Sequence, residues 1–197
     1  SGTTSPAAGE GRRDETAAPV VLVGGNHDGA AALDALTAAG LTVPELTGVR
    51  RAGLRVFGAS DPLARSPGVD SDPAALAAQA RELAALWPTA GDPDILLVHD
   101  VRQAEEVIRL ARGRGTPLIV ACGNDHRAAV ERRGVVTIVN AGTAGASGYG
   151  ALGRGESAAY TAQLLTFGPG PRPRLRRVTT LSYQPGGRSS EIGRAHV

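Results

Sequence analysis

Val20-Val21-Leu22-Val23-Gly24-Gly25-Asn26-His27-Asp28 is the stretch on which the reading of this chain turns. A short β-branched run after Pro19 predicts a buried strand over residues 20–24. Two glycines let the backbone turn sharply at its end. Asn26, His27 and Asp28 then fall on a loop at the carboxyl edge of a sheet, where open α/β folds place their ligands. Asn and His can ligate a divalent metal, His can also donate a proton, and Asp can orient that His. A plain polar turn uses the same residue types.

Outward from this stretch the chain alternates strands and helices. Residues 1–18 are polar, rich in Gly, Pro, Ser and Thr, and predict a flexible N-terminal segment. Gly29 to Ala39 predicts a helix with Ala32, Leu33, Leu36 and Ala39 inward, closed by Gly40. Val49–Arg51 and Leu54–Gly58 predict two strands around Ala52-Gly53, followed by a polar stop at Ser60-Asp61. Asp72-Pro73 is a helix start, and Leu76, Ala80, Leu83 and Trp87 repeat at helical spacing behind it. Asp94 to Val98 is an apolar strand ending in His99-Asp100. A helix follows over about Arg102 to Arg112, closed by Gly113. Thr116 to Ala121 is a second buried strand, ending in Cys122-Gly123-Asn124-Asp125-His126, and Val135 to Val139 runs into Asn140-Ala141-Gly142-Thr143. Ala158–Phe167 and Leu175–Tyr183 predict a hairpin. The organisation expected is a flexible segment over 1–18, one domain over 19–184 and a disordered tail over 185–197. Within that tail, residues 191–197 resemble the in-frame translation of a sequencing-adapter oligonucleotide and are set aside from the functional reading.

Composition narrows the function classes. The chain has 197 residues, enough for one domain with a core. All 21 basic residues are Arg, and there is no Met, which reads as a fragment from a GC-rich bacterial gene. The net charge of +2 is too mild to imply a nucleic-acid partner. The Arg pairs, among them Arg132-Arg133 and Arg176-Arg177, read as solvated surface. Cys122 is the only cysteine, so no internal disulfide forms, and its apolar setting predicts a small buried residue. No apolar run reaches the ~20 residues of a membrane helix.

Three apolar strands therefore end in His-bearing polar loops: Asn26-His27-Asp28, His99-Asp100 and Asn124-Asp125-His126. Parallel strands bring such ends to one edge. The set resembles the calcineurin-like metallophosphoesterase superfamily. In that family a Gly-Asn-His-Asp loop precedes a strand-end His, a Gly-His-x-His loop and an Asn-x-Gly-Ser/Thr turn. The corresponding residues here are Gly25 to Asp28, His99, Gly123 to His126, and Asn140 to Thr143. The resemblance implies metal ligation by Asn26, His99 and His126, with Asn124 as a weaker neutral ligand. It makes His27 the proton donor or phosphate contact and Asp28 its orienting partner. It further implies an α/β fold of the αββα sandwich type, a phosphoester substrate, and a two-metal site of Mn, Fe or Zn that activates water and neutralises phosphoryl oxygens. No specific protein partner is implied. Relatives with this type of C-terminal half sometimes carry membrane helices upstream, so the parent's location stays open.

The chain departs from the family pattern in two places. The Asp-x-His and Gly-Asp-x-x-Asp loops, the second of which supplies the bridging carboxylate, are absent, and Asn124 stands where the first His of Gly-His-x-His belongs. The expectation is thus an incomplete αββα sandwich, its N-terminal strands missing, with a crippled metal site that Asp100 or Asp125 would have to complete. Two functions stay open: a metal-dependent phosphoester hydrolase with impaired or no activity in this fragment, and a non-catalytic binding or structural module. Bland readings stand beside each residue: a strand-end His99 bonded to backbone, a solvated His126, turn-forming Asn26 and Asn140, and an Asp28 that caps the following helix. A nucleotide-binding reading of Gly24, Gly25 and Gly29 lacks the Gly-x-Gly-x-x-Gly spacing.

Overall fold

The computed structural model describes residues 18–64, 72–143, 159–170 and 172–183, with 184 and 188–196 described for the backbone alone. Helix α1 spans Ala30–Ala38, β1 Thr47–Arg51, β2 Leu54–Ala59, α2 Pro73–Leu86, β3 Ile95–Val98, α3 Glu105–Arg114, β4 Leu118–Cys122, β5 Ala128–Arg133, β6 Val136–Ala141, β7 Tyr160–Phe167, β8 Leu175–Gln184 and β9 Arg188–His196. The expected β1–β2 hairpin forms around Ala52 and Gly53, both at positive φ, which suits the right-handed twist of paired strands.

Six strands form one sheet in the order β1-β2-β3-β4-β6-β5. Its four inner strands, β2, β3, β4 and β6, run parallel, and the edge strands β1 and β5 run antiparallel. Alternate residues of each inner strand face opposite ways. Leu96, Val98, Leu118, Val120, Val136 and Ile138 pack with Leu83, Trp87, Val107, Ile108 and Ala111 of the α2–α3 layer. Ile119 and Val139 face the other way and meet Val178, Leu165 and Phe167 of the second sheet, β7-β8-β9. The layers are therefore helices, mixed sheet, antiparallel sheet. Leu164 and Leu181 stand exposed on the second sheet, and no helix covers that face among the described residues.

Helix α2 starts where the Asp72-Pro73 pair predicts, whereas α3 begins at Glu105, behind a 3-10 turn. The Asp72 carboxylate accepts hydrogen bonds from the backbone N–H of Ala74 and Ala75, each 3.0 Å. Asp100 opens a short 3-10 turn over Val101–Ala104 with a reciprocal capping box: its side chain takes the backbone N–H of the turn, and the Gln103 side chain takes the Asp100 N–H. Trp87, at the end of α2, is fully buried, and the Arg114 guanidinium lies 5.4 Å from its ring centroid.

Several expectations are corrected. Residues 20–24 do not form a sheet strand. They make one parallel bridge, Val21 with Thr42, through Leu22 N–H to Thr42 O and Thr42 N–H to Val20 O. With a single paired side, Val20 stays exposed. On α1 only Leu33 is buried, because the helix lies at the margin of the core. The α3 helix runs past Gly113 and stops at Gly115, whose φ of 64° ends it. Strand β5 was not expected: its residues are mostly exposed, so no apolar alternation marks it. Residues expected as a disordered tail instead supply β9, paired antiparallel with β8. No helix among the described residues is long and apolar enough to cross a membrane.

Leu96 is fully buried between β2, β4 and the helices, whereas Leu164 is 54% exposed. Leu96→Ala is expected to cost about 2–5 kcal/mol in chemical unfolding, and Leu164→Ala less than about 0.5 kcal/mol. Equal losses would show that the helix-covered face is not the core.

Candidate metal site at the carboxyl edge

The parallel pairing of β2, β3, β4 and β6 brings the segments after Ala59, Val98, Cys122 and Ala141 to one edge. The residue 20–24 segment joins them, because Asp61 N–H donates to Gly24 O at 2.8 Å and Gly24 N–H to Ser60 Oγ at 3.0 Å. Ser60 in turn donates to Glu45. These bonds hold the turn beginning at Gly25 over the end of β3.

There Asn26 and His99 meet: His99 Nε2 lies 3.1 Å from Asn26 Oδ1. Gly25 makes the approach possible. A Cβ on it would stand 2.6 Å from His99 Cε1 and 2.9 Å from Nδ1. Asp28 does not cap α1, whose cap is Gly29. Its Oδ2 instead accepts the Gly25 N–H at 2.7 Å, which braces the turn from inside. His27, between Asn26 and Asp28, is exposed.

The β4 loop is pinned to the same place. Gly123 and Asn124 both donate backbone N–H groups to the His99 carbonyl, at 3.1 and 3.0 Å. Asn124 Nδ2 donates to Asp100 Oδ2 at 2.7 Å, and Arg102 grips the same carboxylate through Nε and Nη2. Burial alone would raise the Asp100 carboxyl, but the Arg102 hydrogen bonds and charge, with Asn124, outweigh it and hold it below its ordinary value of 3.8. Asp125 is also committed, accepting from Arg127 N–H and Asn140 Nδ2. Neither acid that could complete a metal site is free to turn to one. Asn140 forms the turn expected of it, with Oδ1 on Gly142 N–H.

His126 closes the Gly123–His126 turn at φ 59°. It is exposed, and its ring makes no hydrogen bond among the described residues. The structure thus brings Asn26 and His99 into contact and sets Asn124 beside them, while His27 and His126 lie on exposed turns. Among the described residues no three of His, Cys, Asp and Glu gather as a metal site. Cys122 is buried, and burial with the Asp125 and Asp100 charges pushes its thiol up to about 11, so it is no nucleophile at neutral pH.

Asn26, Asn124, Asp100 and Arg102 line one cavity of about 210 Å³ with Asp61 and Asp72. The last two read only as a strand stop and a helix cap in sequence. The available signal was that Asp61 follows a strand parallel to the one ending at His99. Its Oδ1 accepts Leu63 N–H at 2.8 Å.

Two neutral donors of the kind a cation takes stand in contact here, Asn26 Oδ1 and His99 Nε2. Two ligands of one octahedral ion, each about 2.1 Å from it, stand about 3 Å apart, close to the 3.1 Å between Asn26 Oδ1 and His99 Nε2. A second, carboxylate-bridged cation has no ligand group among the described residues.

Comparison with known proteins adds one finding. The family model of the calcineurin-like phosphoesterase superfamily domain matches residues 6–160, well over half of the chain. No curated protein and no solved structure matches it.

Gly25→Ala is expected to push the His99 ring off Asn26 without unfolding the chain. Imidazole ¹H–¹⁵N spectra should then show the His99 resonances moving while those of His126 hold, and an unmoved His99 would contradict the packing. Asp100, with its folded pKa depressed, adds stability above the unfolded pKa that is lost as pH falls through the folded one. Asp100→Asn should therefore flatten the acid limb of stability below about pH 4, and an unchanged limb would remove Asp100 from the account.

Proposed function

The chain belongs to the calcineurin-like phosphoesterase superfamily, and we propose that it acts as a metal-dependent phosphoester hydrolase whose turnover is impaired as it stands. The observation that carries this reading is the contact of Asn26 Oδ1 with His99 Nε2 at the carboxyl edge of the parallel strands. Asn26 and His99 would hold one divalent cation, Mn, Fe or Zn, with Asn124 and His126 as further neutral ligands. Such a cation, when bound, lowers the pKa of water and offsets phosphoryl charge. His99 would have to present an unprotonated Nε2 to a cation, whereas the contact with Asn26 Oδ1, an acceptor, needs a proton on Nε2, so binding would move that proton to Nδ1.

The remaining steps belong to the chain's own side chains. His27 donates a proton from its ring to the leaving alkoxide oxygen, which must leave neutral as the P–O bond breaks. Asp28 keeps Oδ2 on Gly25 N–H and so fixes the turn on which His27 rides. Arg102 spends Nε and Nη2 on Asp100. Its Nη1 has no partner among the described residues and suits a phosphoryl oxygen. The impairment follows from the donor set: no bridging carboxylate among the described residues, Asn124 in place of a histidine, and Asp100 and Asp125 already engaged.

Titration of the chain with Mn²⁺ by calorimetry is expected to give one weak site, with a dissociation constant above ~10 µM. His99→Ala and Asn26→Ala should each weaken it about tenfold or more. Two tight sites would contradict the incomplete centre. With Mn²⁺ and a chromogenic phosphodiester, any residual hydrolysis should fall ~10²-fold or more in His27→Ala with metal affinity unchanged. Equal rates in both forms would take His27 out of the chemistry.

A further inference from the structure

A second cleft opens at the opposite edge of the six-stranded sheet, where β2, β3 and β4 begin. It has a volume of about 430 Å³ and lies between that edge and the turn leading into β8, within the size range of small-molecule sites. Five arginines line it: Arg55, Arg132, Arg172, Arg174 and Arg176. They come from three distant parts of the chain, and two belong to Arg pairs that read in sequence as scattered surface.

The charge balance is lopsided. Among the described residues Asp92 and Asp94 are the acids that line it against the five guanidiniums, an excess of three positive charges in a chain whose whole net charge is +2. Arg55 is committed, with Nε 3.8 Å from Asp94 Oδ2. The side chains of Arg132, Arg172, Arg174 and Arg176 form no ion pair or hydrogen bond among the described residues. Gathering these exposed arginines around fewer acids leaves a positive potential that a multivalent anion would offset. Arg176 lies across Gly168, where a Cβ would stand 2.8 Å from its Nε.

We propose that this cleft binds a compact polyphosphate group, either free or as the tail of a small molecule. Guanidinium forks match phosphate oxygens two at a time. Thr116 and Thr137 add hydroxyl donors in the same wall. Among the described residues no aromatic lines the cleft, so bases find no stacking platform there, which argues against single-stranded nucleic acid. The site is separate from the Asn26–His99 edge by the length of the strands, roughly 15 Å, and does not depend on the hydrolase reading.

The test is calorimetry of the full chain with sodium tripolyphosphate in EDTA, where the metal-dependent edge is silent. Saturable binding with one site is expected. Arg174→Gln/Arg176→Gln should weaken it about tenfold or more, and Arg81→Gln/Arg109→Gln, with the same charge change elsewhere, less than about twofold. Gly168→Ala keeps every charge, displaces Arg176 and should also weaken binding, which covers a double variant that fails to fold. Equal affinity for ATP and tripolyphosphate would assign the phosphate tail alone, and tighter ATP would assign a nucleotide; both support the site. No heat up to ~1 mM ligand, equal loss in the control pair, or binding of single-stranded oligonucleotide alone would overturn it.

Discussion

Four parallel strands share one constraint: their hydrogen-bond ladders fix which residues of β2, β3, β4 and β6 lie abreast, and their two buried faces forbid a slip by one residue. Ala59 is level with Val98, Leu97 with Ala121, and Cys122 with Asn140. Everything chemical at the carboxyl edge inherits its position from that alignment. His99 follows Val98, Asn124 follows Cys122 by two residues, and Asp61 follows Ala59 by two. A shift of any strand would turn Leu96 or Val120 out of the helix-covered face, so the core enforces the geometry of the site.

Protein contacts also join the loops at this edge. The His99 carbonyl accepts two N–H groups from the β4 loop, while the His99 ring faces the Asn26 turn. One residue thus joins three chain segments. Asp100 is the counterpart on the acidic side: it caps a helical turn, takes a forked Arg102 and holds Asn124. An acid so heavily bonded is a structural anion, which is why the metal ligands proposed above are the neutral donors.

Much of this was legible in the chain itself. The Asp72-Pro73 start, the apolar runs read over Asp94–Val98 and Thr116–Ala121, and the Ala52-Gly53 hairpin act through local rules, and each formed within a residue or two of the reading. The meeting of Asn26 with His99 was expected from strand ends sharing an edge, but only His99 follows a sheet strand, and Asn26 is brought to it by the Gly24 bonds to Ser60 and Asp61. What escaped the reading depended on tertiary partners. Val20 to Val23 has strand composition but a neighbour on one side only, so it stayed a bridge. Strand β5, Ala128–Arg133, is an exposed edge held by β6 and carries no period of its own. The Asp100–Arg102–Asn124 lock and the basic cleft both join residues whose proximity no spacing announces.

Cys122 has a practical corollary. It is the sole thiol of the chain, it is buried at the end of β4, and its raised pKa leaves almost no thiolate in neutral solution. Alkylating dyes and spin labels react through the thiolate. A cysteine engineered onto an exposed turn, such as the one bearing His27, would therefore outcompete the native one for reagent. The wild-type sequence is already a quiet background for single-site spectroscopic labelling.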